Sequence, residues 1–75
     1  MDERAFRIRP YSKSELARKY FPETIRTKSA VANLRNLMMR NDKMMRELTA
    51  AGYRSHNRML TPLQVGIMVY YLGEP

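Results

Sequence analysis

TKSAVANLRNLMMR, residues Thr27 to Arg40, decides the fold. Ala30, Leu34, Leu37 and Met38 stand at i, i+4, i+7 and i+8, the spacing that puts four apolar side chains on one face of a helix. The opposite face carries Lys28, Asn33, Arg35, Asn36 and Arg40, and no acidic residue occurs between Thr24 and Asn41. The stretch therefore predicts an amphipathic helix, capped at Thr27, buried on one side and electropositive on the other.

Upstream, residues 21 to 26 form a connection, and Pro22 ends whatever helix precedes it. Ser12 stands three residues before Glu15, the spacing of a capping box, and Leu16, Ala17 and Tyr20 supply an apolar stripe, so a helix is expected over 13 to 20. Phe6 and Ile8 alternate with Arg7 and Arg9 before Pro10, which predicts a short edge strand over 5 to 9.

Downstream, Asn41 and Asp42 cap a third helix, 42 to 51, with Met44, Met45, Leu48 and Ala51 inward and Gly52 as a left-handed stop. Tyr53 to Leu60 lacks a helical period and is expected to pair as a strand with residues 5 to 9. Thr61-Pro62 places a cap before proline at the first helical position and predicts a fourth helix over 62 to 72. A buried strand competes there, since Ile67, Val69, Tyr70 and Tyr71 favour one, but the cap favours the helix. This segment has almost no polar face and must be buried on most sides or shared with a partner. The expected architecture is mainly α: one domain over 1–75, of four helices with a helix-turn-helix-like core and a short two-stranded β-ribbon.

Seventy-five residues leave room for one domain and one function. Fourteen Lys and Arg against seven Asp and Glu give a net charge of +7. All fourteen cations lie between Arg4 and Arg58, while residues 61 to 75 carry Glu74 as their single charge. Such segregation is expected where one surface meets phosphates and another meets protein. With no cysteine, disulfides, zinc-thiolate sites and thiol nucleophiles are excluded. The longest apolar run, Ile67 to Leu72, is far short of the roughly 20 residues that span a bilayer, and the first four residues show no signal-peptide core. A cytoplasmic protein without membrane contact is expected.

Catalytic constellations are missing. His56 is the single histidine and has no acid near it in sequence; Glu15, Glu23 and Glu47 are dispersed, and Glu47 has the spacing of an ion pair with Lys43. The glycines at 52, 66 and 73 form no phosphate-cradling loop. No enzyme, cofactor or metal is expected. Met38-Met39 and Met44-Met45 read as core filling before they read as a plastic groove, and Tyr70 and Tyr71 as packing or self-association before a base-stacking platform.

The functional expectation is thus a non-catalytic nucleic-acid binder, of DNA before RNA. Lys28, Arg35, Arg40, Arg54 and Arg58 would contact phosphates, and Asn33 and Asn36 would reach base edges. Ser29, with the free N–H groups near Thr27, would hold one phosphate at the helix N-terminus. The strand with Arg54 and Arg58 would flank the second helix as a wing, as in a transcriptional regulator or an excisionase-like protein. The rival is a protein-interaction or regulatory module that uses residues 62–72 to bind a second copy or another protein.

Glu15-Leu16-Ala17 leading to Tyr20-Phe21-Pro22, Lys28-Ser29-Ala30 with Leu34, Leu60-Thr61-Pro62 with Gln64-Val65, and Leu72-Gly73-Glu74-Pro75 carry a further signal. Through them nearly the whole chain resembles a family of short proteins from gut Bacteroidetes classed as domain of unknown function 4248. The resemblance implies a compact helical domain similar to helix-turn-helix proteins and brings no catalytic residue and no ligand.

Overall fold

The computed structural model describes residues 6–75. In chain order it contains β1 (Tyr11–Ser12), α1 (Lys13–Tyr20), α2 (Thr27–Met39), α3 (Asp42–Ala50), β2 (Met59–Leu60) and α4 (Pro62–Leu72). Four helices therefore stand where caps and periodicity predict them, and the segment from Pro62 is helix rather than strand.

The local reasons are visible at the helix ends. Ser12 Oγ accepts the Glu15 N–H at 3.0 Å and Asn41 Oδ1 accepts the Met44 N–H at 3.0 Å. Thr61 and Gln64 form a complete capping box, with Gln64 Oε1 accepting the Thr61 N–H at 3.1 Å. Ser12 and Glu15 form only half of one. The Glu15 carboxylate turns to the Arg9 guanidinium at 2.7 Å instead. Thr27 is not a cap: α2 starts from Arg26 without a side-chain cap, and the Thr27 hydroxyl, already inside the first turn, accepts a hydrogen bond from Arg18 at 3.2 Å.

The ribbon is smaller and elsewhere than expected. β1 and β2 pair antiparallel, Tyr11 opposite Leu60 and Ser12 opposite Met59. Residues 6–9 form no strand, and residue 5 lies outside the described residues. Pro10 has no N–H to give a ladder, and within the stretch where Phe6 and Ile8 alternate with Arg7 and Arg9, Phe6 and Arg9 both pack on Tyr11. The Phe6 ring stacks on it at 5.2 Å and the Arg9 guanidinium lies 3.8 Å from its centroid, while the Tyr11 hydroxyl donates to the Arg7 carbonyl. Of Tyr53 to Leu60 only the last two residues are strand; the rest turns back on itself, closed by the Asn57 N–H to the Arg54 carbonyl.

The core lies where the helical stripes converge. α1 contributes Leu16 and Ala17, α2 contributes Ala30, Leu34 and Met38, and α3 contributes Met44 and Leu48. Tyr11, Leu60, Val65 and Met68 complete it. Leu37 is only half-buried, and Met39 is left at the surface. α1 and α2 pack most extensively, each burying an alanine, which allows close approach of the two backbones. Gln64 is the one buried polar residue among those described, and its amide Nε2 donates to the Ala51 carbonyl at 3.0 Å, tying the start of α4 to the end of α3. α4 packs Gln64, Val65 and Met68 fully inward and Ile67, Val69, Tyr71 and Leu72 partly, and leaves Leu63 and Tyr70 largely exposed.

Candidate nucleic-acid interface

All eight residues expected at the interface, Lys28, Ser29, Asn33, Arg35, Asn36, Arg40, Arg54 and Arg58, are exposed. On α2 they are sorted by helical geometry. With about 100° per residue, Lys28 and Arg35 fall together along one margin of the exposed face. Asn33 and Arg40 lie roughly 140° further round, along the other. Ala32, Asn36 and Met39, with Ser29 nearby, form the ridge between the margins. The side chains that would meet phosphates therefore flank the helix, and Asn36 is more central than Asn33.

Each margin meets a different part of the fold. Asn33, Asn36 and Arg40 line a shallow depression of about 230 Å³ with Phe21 and Leu37. Arg35 shares the opposite groove with Lys13 and Tyr53. Lys13 is the residue that sequence reasoning missed. Its ammonium donates to the carbonyls of Ser55 at 2.7 Å and Arg54 at 3.2 Å and lies 4.7 Å from the Tyr53 ring centroid, and its backbone N–H donates to the Arg58 carbonyl at 2.8 Å. One lysine thus clamps the loop that carries Arg54 and Arg58, the expected wing, against the start of α1. Its position as the first residue of α1 was legible, but the partner loop lies far along the chain and gives no local signal.

The charge of this surface is uncompensated. Lys28, Arg35, Arg40, Arg54 and Arg58 make no ion pair among the described residues, and α2 carries no acidic side chain. The carboxylates are engaged or placed elsewhere. Glu15 is hydrogen-bonded by Arg9, which holds its carboxyl below the ordinary range and raises the guanidinium's own pKa. Glu47 accepts from the Tyr71 hydroxyl and does not pair with Lys43. Burial pushes up the phenol of Tyr20, whose hydroxyl donates to the Gly73 carbonyl at 2.6 Å. Among the described residues no group of three or more His, Cys, Asp or Glu is placed to hold a metal ion, and no helix is long and apolar enough to cross a membrane.

Fold and site together define a mainly helical domain of four helices with a two-stranded antiparallel ribbon and an exposed, acid-free second helix. The chain belongs to the family described as domain of unknown function DUF4248, whose model matches residues 7–75. No curated protein and no solved structure matches it at a significant level.

Proposed function

We propose that this protein is a non-catalytic nucleic-acid-binding module that lays α2 in the major groove of duplex DNA, in the manner of a transcriptional regulator. The observation that carries the reading is the layout of the exposed α2 face, with unpaired cations along both margins and the uncharged Ser29, Ala32, Asn36 and Met39 between them. An α-helix with its side chains is about 10–12 Å across and fits a major groove about 12 Å wide. Lys28 and Arg35 then face one phosphate backbone and Arg40 the other. Asn36 on the ridge is an amide of the kind that pairs with adenine, and Ala32 is small enough to sit against a thymine methyl. Arg54 and Arg58, held by Lys13, extend the cationic margin on the Arg35 side. The uncapped first turn of α2 at Ser29 has free N–H groups for one further phosphate. The connection over residues 21–26 is longer than a standard helix-turn-helix turn, so the motif is an approximate one.

The test compares two double variants of equal charge. Arg35→Ala with Arg40→Ala is expected to weaken duplex binding by about tenfold or more, since a charge-assisted contact contributes on the order of 1.5–3 kcal/mol. Lys43→Ala with Arg46→Ala, on α3, changes it far less. Equal losses from both would mean that net charge and not α2 carries the binding, and preference for structured RNA in competition would replace duplex DNA as the ligand.

A further inference from the structure

We propose that α4 presents a homodimer interface, formed by Ile8, Leu63, Gly66, Ile67 and Tyr70 of each chain. Gln64, Val65 and Met68 face fully inward and Ile67, Val69, Tyr71 and Leu72 pack partly against the core, which leaves a narrow strip around Leu63 and Tyr70 to solvent. On that strip Leu63 is 65% exposed and Tyr70 81%, with Ile8 beside them at 51%. Together with Ile67 they line an open groove of about 670 Å³. Leu63, Ile67 and Tyr70 stand at i, i+4 and i+7, the spacing of a seam that one helix offers to another.

Gly66 points the same way. Glycine is among the least favourable residues inside a helix, and Gly66 lies mid-α4 without the left-handed backbone that would require it. The chain's own packing does not require it either, because a Cβ there would meet nothing closer than Ile8 Cγ2 at 3.9 Å, an ordinary contact. Its effect is to leave a notch between Leu63 and Tyr70 on the exposed side. A notch flanked by apolar knobs is what a close approach from outside needs.

Charge selects the occupant. An acidic partner of a +7 chain is drawn to its cationic surfaces, yet Pro62 to Leu72 bear no charge, and the carboxylate bordering the groove, Glu47, is engaged by Tyr71. The surface that matches a neutral apolar face is another such face, and a second copy has one. Repulsion between two +7 chains is least when they meet through this uncharged helix. A two-fold arrangement pairs the face with itself, so that a knob of each chain, Leu63 or Tyr70, enters the Gly66 notch of the other.

Sedimentation of the purified full chain over a concentration series, without nucleic acid, tests this. A monomer–dimer equilibrium is expected, and added salt strengthens it by screening the repulsion between cations. Leu63→Asp and Tyr70→Asp, both at exposed positions, abolish the dimer while circular dichroism keeps its helical signal. Gly66→Ala raises the thermal midpoint of dilute monomer but weakens the dimer by about tenfold or more, equivalent to about 1.4 kcal/mol. A chain that stays monomeric up to its solubility limit overturns the proposal. So does a dimer whose affinity is unchanged by Gly66→Ala or by Leu63→Asp.

Discussion

Gly52 holds φ at 91°, in the left-handed region that stops α3, and its N–H closes the turn onto the Thr49 carbonyl. A Cβ there would stand 3.9 Å from Gln64 Nε2, so space is not the constraint; the backbone is. Gly52→Ala is expected to cost about 1–2 kcal/mol in urea unfolding, the strain of a left-handed alanine. A neutral result would show that the turn relaxes. The Arg9–Glu15 pair gives a pH dependence of known sign. The folded carboxyl is held below its unfolded value, chiefly by the Arg9 hydrogen bond, so its contribution is present above the ordinary glutamate pKa of about 4.3 and disappears as pH falls through the lower folded value. Stability of the wild type relative to Glu15→Gln should be constant near neutrality and shrink in acid; a difference that does not change with pH contradicts the pair. Such residues also mark what could be read in advance. Gly52 was legible because a glycine after a helical stripe has a local meaning. The partner of Glu15 was not, because Ser12-Glu15 spacing suits a capping box as well as it suits a carboxylate free to turn to Arg9.

At the scale of elements, helices were legible and strands were not, for one reason. A helix is announced within a few residues by its cap and its period, as Ser12, Asn41 and Thr61-Pro62 show, and α1 and α4 have the expected bounds. The ribbon joins Tyr11 to Leu60 across most of the chain, and a two-residue strand has no period to detect. The alternation over residues 6–9 imitates a strand, but Phe6 and Arg9 cover Tyr11 and Ile8 stands beside Gly66. The loop between α3 and β2 is likewise held from a distance by Lys13. Lys13→Met keeps a side chain of similar length but removes both ammonium hydrogen bonds and the charge over the Tyr53 ring. The amide of Asn57, bonded to the Arg54 carbonyl, should then exchange hydrogen faster by more than the global loss of stability explains, a loss of about 1 kcal/mol. Unchanged protection at Asn57 would show that the loop holds itself. Arg54 and Arg58 were expected on a strand; they are presented instead by a turn clamped by Lys13, which shares a groove with Tyr53 and Arg35.

The whole molecule separates its charge from its apolar surface. Cations occupy the chain as far as Arg58, while α4 combines three inward residues with an outward apolar face. The basic second helix with its buried side and the neutral last helix were both legible in the sequence; that Leu37 is only half-buried and Met39 lies on the exposed ridge was not, because both are apolar. If Lys28, Arg35, Arg40, Arg54 and Arg58 each neutralise one phosphate, the affinity for a short duplex should fall with salt in a defined way. The measurement that tests the account most directly is that titration, made with the wild-type chain: a plot of log affinity against log salt concentration is predicted to have a slope of roughly −4 to −5, each phosphate contact contributing about −0.9. A flat plot, or no binding of duplex at low salt, would contradict it.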